Sequence, residues 1–369
     1  MHCYVCDEEI TSNNETEEHI LLNAIGGKLK SKKLICIGCN SKLGSNIDDK
    51  LAEQLNPIGN LLDIKRDRGK PQNVIGTYNN KDIIIEPGGA LRLKRAYTEK
   101  GDDSYHIEAS SVRQARQALE GLKRKHPHID VDEQIKNAKR NKSYLPSVTI
   151  STNFGGQETK RALCKMAVNF YIYNGGNPAT VKHLLPFIEG KKEEAEVYYF
   201  YPMSEVFYKN EKEVLHSLIL VGDPNQKSLY VYIELFNEFK AVVFIDTEYN
   251  GAPLYESYHY NVVSNEVVKY ETPVEITPKQ LRKYKNKEID ERKFLERLKQ
   301  LFQHVDKISG DRRISEITSN AIQEMEEKYP KEENPIITED MMAFLADRVA
   351  REFILSFQHR LFRNETLER

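Results

Sequence analysis

Leu43, Ile47, Leu51 and Leu55 recur every four residues, a helical stripe that Asn56-Pro57 is expected to end. The same spacing predicts a helix from Ser110 or Ser111 to about His126, through Val112, Ala115, Leu119 and Leu122. A well-buried helix is expected from Gln157 to Asn174 on Leu163, Met166, Ala167, Phe170 and Tyr171, stopped by Gly175-Gly176-Asn177-Pro178. A shorter one follows through Leu184-Leu185-Pro186. Elsewhere the pattern is that of strands: Ile83-Ile84-Ile85, Leu91 to Tyr97 and Tyr105 to Ala109 make a small antiparallel unit, and Ser147 to Ile150 adds another. From residue 196 to 270 β-branched and aromatic runs predict one larger antiparallel sheet, with a face on the helices of residues 157 to 189. Its tyrosines suit either the core or a base-stacking groove. The end of the chain is helical: Thr277-Pro278-Lys279-Gln280 is a capping box opening a helix toward Val305, followed by helices over Arg313 to Tyr329 and Thr338 to Phe362.

This order of elements predicts an α+β fold. Four segments are expected: 1–56, a linker with a small basic α/β region over 57–144, a sheet domain over 145–275, and a helical region over 276–369, whose amphipathic helices suit self-association. Residues 56 to 80, rich in Asn, Gly, Asp and Lys, are expected as a linker or exposed loop within reach of a nucleic-acid backbone.

Charge adds little to this picture. The 369 residues carry 54 basic and 56 acidic side chains, a net charge of −2, so any nucleic-acid surface must be local. Lys136 to Lys142 and the arginines and lysines of residues 113 to 124 form the most basic stretch, which on frequency alone is an ordinary solvated face. No apolar run is long enough to span a membrane, and a cytoplasmic protein is expected. His259, Asp246 and Glu248 are what the outer face of a sheet also produces, and they carry no site.

The cysteines change the picture most. Cys3-Tyr4-Val5-Cys6 and Cys36-Ile37-Gly38-Cys39 are two knuckles, each presenting two thiolates to one ion, and together they make the four-sulfur set that zinc favours. Cys164 is left alone as a small buried hydrophobe. A zinc ribbon would explain the knuckles. It would not ask for Glu18-His19-Ile20 between them, a Gly26-Gly27 turn, and Asn40 directly after Cys39.

Over about residues 1 to 55 these features resemble the HNH endonuclease (His-Me finger) superfamily. The resemblance implies a ββα-metal finger in which a structural zinc on Cys3, Cys6, Cys36 and Cys39 pins a hairpin and a helix around a catalytic Mg2+ or Mn2+. It assigns His19 as the general base, Glu18 as the acidic ligand beside it, and Asn40 as the ligand on the helix, acting on nucleic acid, in particular double-stranded DNA. Restriction, homing and phage-defence nucleases carry such fingers. The chemistry agrees: hydrolysis of a phosphodiester needs an activated water and a cation on the developing charge, and a neutral imidazole of pKa about 6.5 suits the first task. One departure stands out, for Ser31 occupies the place where many members carry an orienting asparagine; Asn23 lies closer to His19 but in a variable part of the motif, and Asp48 is a second candidate ligand or orienter.

Each residue also has a plainer role. His19 and Glu18 could be structural strand residues, and Asn40 suits a helix N-cap as well as an ion. Lys28, Lys30, Lys32 and Lys33 form either a solvated face or the contacts to the scissile phosphate. The alternative functions are a zinc-stapled nucleic-acid-binding module without catalysis, and a nuclease gated by a ligand-sensing body.

Overall fold

The computed structural model describes residues 1–102, 104–140, 145, 147–201, 205–207, 209–210, 213–270, 276, 291–330 and 336–361. The chain divides into two compact units, Met1–Gln72 with Thr152–Asp306 and Asn73–Ser151 with Lys307–Arg369.

The first unit opens on a hairpin of two very short strands, β1 (Glu18–His19) and β2 (Lys30–Ser31), antiparallel with His19 opposite Lys30. A 3-10 turn over Asn23–Ile25 leads back between them and ends at Gly26, whose φ of 89° is left-handed. A Cβ on Gly27 would lie 2.2 Å from the Leu21 carbonyl oxygen. The Gly-Gly pair thus meets two separate demands, one conformational and one of space. Helix α1 (Ile37–Leu43) starts directly after Cys36 and passes through a π-helical stretch, Gly44–Asp48, into α2 (Asp49–Leu62).

Asn56-Pro57 does not end this helix. Leu51, Leu55, Ile58 and Leu62 are all buried, so the apolar stripe continues past Pro57, and its burial outweighs the one backbone bond that the proline removes. The chain leaves α2 at Asp63 in a left-handed conformation. The next ten residues are a mostly exposed loop, one of the two expectations for this stretch, but they are held in place. The Asn56 and Asn60 amides donate to the Gln72 carbonyl at 3.0 and 2.9 Å, and the Arg66 guanidinium donates to Asn56 Oδ1 at 3.2 Å and to the Lys70 carbonyl at 3.1 Å.

Residues 73–151 form smaller elements. Strands β3 (Val74–Tyr78), β4 (Lys81–Ile85) and β5 (Leu91–Leu93) make one antiparallel sheet, and β6 (Tyr97–Lys100) and β7 (Tyr105–Glu108) a separate pair. Helix α3 (Val112–Lys123) is capped by Ser111, whose Oγ accepts the Gln114 N–H at 3.2 Å, and α4 (Val131–Asn137) by Asp130. The strand expected at Ser147 to Ile150 reduces to a single bridge between Thr149 and Thr77.

The body of the first unit is helix α5 (Gln157–Tyr173) against a six-stranded sheet. After α5 come a 3-10 stretch, Pro178–Leu184, and the short α6 (Leu185–Ile188). The strands are β8 (Val197–Tyr199), β9 (Leu215–Asp223), β10 (Ser228–Leu235), β11 (Phe239–Asp246), β12 (Leu254–Asn261) and β13 (Glu266–Val268). They pair antiparallel throughout in the order β13-β12-β9-β10-β11-β8. Every residue of β10 is buried, so both faces of the sheet centre are covered. Tyr230 and Tyr232 pack with Phe200, Leu215, Ile219 and Val242, which makes these tyrosines core residues.

Two helices close the chain, α7 (Glu291–Lys328) and α8 (Glu339–Leu361). Among the described residues, the segments expected as separate helices up to Val305 and from Arg313 are one continuous helix: buried Leu301, Val305, Ile317, Ala321 and Met325 carry the stripe across Ser309-Gly310. The capping box Thr277 to Gln280 lies outside the described residues, as do Asn141 and Lys142 of the basic stretch. Helices and antiparallel sheets together give the expected α+β fold. No described helix is long and apolar enough to cross a membrane.

Candidate active site

Four sulfurs converge at the base of the finger. Their Sγ atoms all lie within 4.8 Å of one another, and Cys6 and Cys36 are 3.7 Å apart. A tetrahedral zinc with Zn–S bonds of about 2.3 Å would set its sulfurs about 3.8 Å apart, so the four thiols fit that ion. Local structure explains the convergence. Asp7 takes a left-handed φ of 64° and its N–H returns to the Cys3 carbonyl at 2.8 Å, closing the first knuckle. The second knuckle places Cys39 in the first turn of α1, with the Asn40 N–H on the Cys36 carbonyl at 2.9 Å. Burial raises the Cys3 thiol, but the backbone N–H groups of Cys6, Cys36 and Val5 outweigh it and bring it below its ordinary value. Burial and the neighbouring sulfurs push the Cys39 thiol up, so holding four thiolates there calls for a cation among them. Among the described residues this is the one group of three or more His, Cys, Asp and Glu side chains gathered closely enough to hold a metal.

His19 and Glu18, neighbours in β1, point to opposite faces, and burial follows: Glu18 is 2% exposed, whereas the His19 side chain is 21% exposed. On the outer face His19 Nε2 lies 3.3 Å from Asp67 Oδ2. Lys28 Nζ is 2.7 Å from Asp67 Oδ1, and Lys30 Nζ 3.4 Å from Asp67 Oδ2. These partners, Lys28 foremost, hold the Asp67 carboxyl down at about 2. Asn23 does not touch the imidazole; its Oδ1 accepts the Asp67 N–H at 2.7 Å. Sequence reasoning missed Asp67, since it sits in a stretch whose composition reads as loop.

On the inner face Glu18 meets α5. Its Oε1 lies 2.6 Å from Lys165 Nζ and accepts the Asn169 amide at 2.8 Å. Lys165 also reaches Asp48 Oδ2 at 2.5 Å, and the Tyr4 hydroxyl donates to Asn169 Oδ1 at 2.8 Å. Burial alone would depress the Lys165 ammonium; Asp48 and Glu18 outweigh it and hold it above its ordinary value. Burial pushes the Asp48 carboxyl up to about 6, with Glu18 adding to the rise and Lys165 opposing it. Asp48 Oδ1 is buried without a hydrogen-bond partner. Glu18 and Asp48 thus share a cation supplied by the chain itself.

The remaining candidates are spread around the hairpin. Asn40 donates through Nδ2 to Thr16 Oγ1 at 3.1 Å and provides no side-chain cap to α1. Lys32 pairs with Glu15 at 3.1 Å, Lys30 with Glu17 at 2.8 Å, and Lys33 is exposed. The finger is fastened to the sheet by His216, whose Nδ1 accepts the Phe236 N–H at 3.2 Å and whose Nε2 donates to the Ile25 carbonyl at 2.8 Å. Away from the finger, His259 is 2% exposed and bonded to Ser217 Oγ at 2.9 Å, while Asp246 Oδ1 accepts the Glu248 N–H, so these residues form no shared site. Cys164 is fully buried, and burial pushes its thiol up to about 12.

No curated protein and no solved structure matches the chain. Residues 3–56, which hold the four cysteines, Glu18, His19 and Asn40 but neither Asp67 nor Lys165, match the model of the HNH endonuclease family.

Proposed function

We propose that the chain is a metal-dependent endonuclease that hydrolyses phosphodiester bonds of double-stranded DNA, with His19 as the general base. The observation that carries this reading is the position of His19: on the outer face of a hairpin that joins the four-cysteine cluster through the Glu15–Cys36 bridge, with Lys28 and Lys30 on the Asp67 carboxylate that His19 meets. His19 takes the proton of an attacking water whose oxygen bonds to phosphorus as the P–O bond to one deoxyribose oxygen breaks and that oxygen leaves with a solvent proton. The lysines, with Lys32 and Lys33, contact the phosphate backbone.

A divalent cation, Mg2+ or Mn2+, would stabilise the charge that develops on the phosphorane. Asn40 fits as its ligand, with an amide oxygen not used in the bond to Thr16. Glu18 does not fit as an open ligand, because its Oε1 is committed to Lys165 and Asn169. We assign Glu18 instead to pinning β1 from the inside. A reducing compartment such as the cytoplasm suits the thiolates, and restriction or phage defence suits such an activity.

The commitment of Glu18 to Lys165 also favours a rival, a zinc-stapled DNA-binding module without catalysis. Incubating the full chain with plasmid DNA, duplex oligonucleotides and single-stranded RNA in Mg2+ or Mn2+ separates the two. Chelator-sensitive cutting of DNA supports the nuclease; DNA that is bound and never cut supports the rival.

A further inference from the structure

We propose that Asp67 is a positioning residue, which fixes the proton of neutral His19 on Nε2 and leaves Nδ1 as the atom that accepts a proton from water. The inference rests on His19 being the base and extends that reading beyond the residues matched to the family.

Asp67 arrives at the imidazole in a fixed place. Ile64, three residues earlier, fills the space over Gly26 and Gly59, and its N–H bonds to the Gly59 carbonyl at 3.1 Å. Asn23 takes the Asp67 N–H at 2.7 Å through Oδ1 and directs Nδ2 to the Arg68 carbonyl at 3.4 Å. The side chain is held as firmly, with Lys28 on Oδ1 at 2.7 Å and Lys30 at 3.4 Å from Oδ2. Asn23 therefore contributes to the site by placing the group that meets His19.

The consequence for the imidazole follows from hydrogen-bond valence. An ionised carboxylate only accepts, and with two ammonium groups beside it Asp67 stays ionised throughout the neutral range. Nε2, 3.3 Å from Oδ2, must then carry the proton. The Nδ1 lone pair is left for the water: the water O–H bond breaks, an Nδ1–H bond forms, the oxygen electron pair bonds to phosphorus, and the P–O bond to one deoxyribose oxygen breaks, that oxygen leaving with a proton taken from solvent. The imidazolium produced has the Asp67 charge at Nε2, where it offsets the gained proton.

Asp67→Asn gives a discriminating test because Lys28 offers only donors. Lys28, at 2.7 Å the closer ammonium, keeps the amide oxygen, while Lys30, 3.4 Å from the other position, retains Glu17 at 2.8 Å; Nδ2 then turns toward Nε2, makes Nε2 the acceptor and moves the ring proton to Nδ1. Two measurements on the full chain read this. Long-range 1H–15N spectra of 15N-histidine-labelled protein, with His19 identified by its loss in His19→Gln, should show an Nε2–H tautomer in the wild type and Nδ1–H in Asp67→Asn. Plasmid-cleavage kinetics should show kcat lower by about a hundredfold or more in Asp67→Asn with KM little changed, the scale of general-base catalysis. Asp67→Glu, which keeps an acceptor, should restore the Nε2–H signature. An unchanged tautomer, or a kcat that holds or rises, overturns the assignment. The spectra need no substrate, so they decide the role of Asp67 even if His19→Ala retains cleavage and the nuclease reading fails.

Discussion

Lys165 Nζ lies 2.6 Å from Glu18 Oε1, and both side chains are almost entirely buried, at 2% and 3% exposure. The strand that ends in His19 is thereby fixed from behind by a helix of the body, through a charge that Asp48 shares. Removing the cation leaves two carboxylates in the interior. Lys165→Met is expected to cost about 3–5 kcal/mol, because breaking one side of a buried ion pair strands the other. Denaturant titration of Lys165→Met against the triple variant Lys165→Met/Glu18→Gln/Asp48→Asn checks this: the triple variant should recover much of the loss. A single variant within about 1 kcal/mol of wild type would show that the three groups do not form the network described.

The four-cysteine site leads to a prediction about metal content. Cys36→Ser should lose zinc as measured by elemental analysis and should unfold at lower temperature, since a small module gains its folding free energy from the ion. His19→Ala should keep its zinc, because the imidazole takes no part in the sulfur cluster. Full zinc occupancy in Cys36→Ser would contradict the assignment.

The Gly26-Gly27 turn separates space from conformation. A Cβ on Gly27 would lie 2.2 Å from the Leu21 carbonyl oxygen, whereas nothing lies within 4 Å of one on Gly38. Gly27→Ala should therefore destabilise by about 1–3 kcal/mol or more. Gly38→Ala, in α1, should be neutral or mildly stabilising, by up to about 1 kcal/mol. Thermal unfolding of both variants makes the comparison.

His216 makes the stability depend on pH in a way that one variant isolates. Burial brings its pKa down from 6.5 to about 4. Between those values the unfolded chain takes up a proton that the folded one refuses, so this residue's contribution falls as pH drops below about 6.5 and is fully lost near pH 4. His216→Gln keeps a donor and an acceptor without the titration, and other groups cancel in the difference. The wild type should be the more stable at pH 7.5, and its advantage should shrink steadily toward pH 4. A constant gap over that range would mean that His216 is not buried as a neutral ring.

The four-cysteine cluster, the Gly26-Gly27 turn and the buried stripe from Leu43 to Leu55 were legible because the groups that cooperate are close together in sequence or repeat at fixed spacing. His19 and Asp67 are 48 positions apart, and Asn169 and Glu18 are 151 apart; no local pattern joins them. A partial signal was present. Lys165 and Asn169, four residues apart, lie on a helix whose neighbouring positions Leu163, Cys164, Met166, Ala167, Val168 and Phe170 are all buried. Polar groups spaced by one turn within such a run are sites where a buried partner must be found. Pro57 misled the reading in the opposite sense: its local cost is real, but Ile58 and Leu62 continue the buried stripe and decide where the helix ends.

The most direct test of the central claim is cleavage of supercoiled plasmid by the full-length chain in Mg2+ or Mn2+, beside His19→Ala of equal zinc content and an EDTA control. The account predicts nicked or linear DNA from the wild type alone, lost with the chelator and absent or lower by at least about a hundredfold in His19→Ala. Wild-type rates in His19→Ala with zinc intact would contradict it, since the residue assigned as the base would then be dispensable to the reaction.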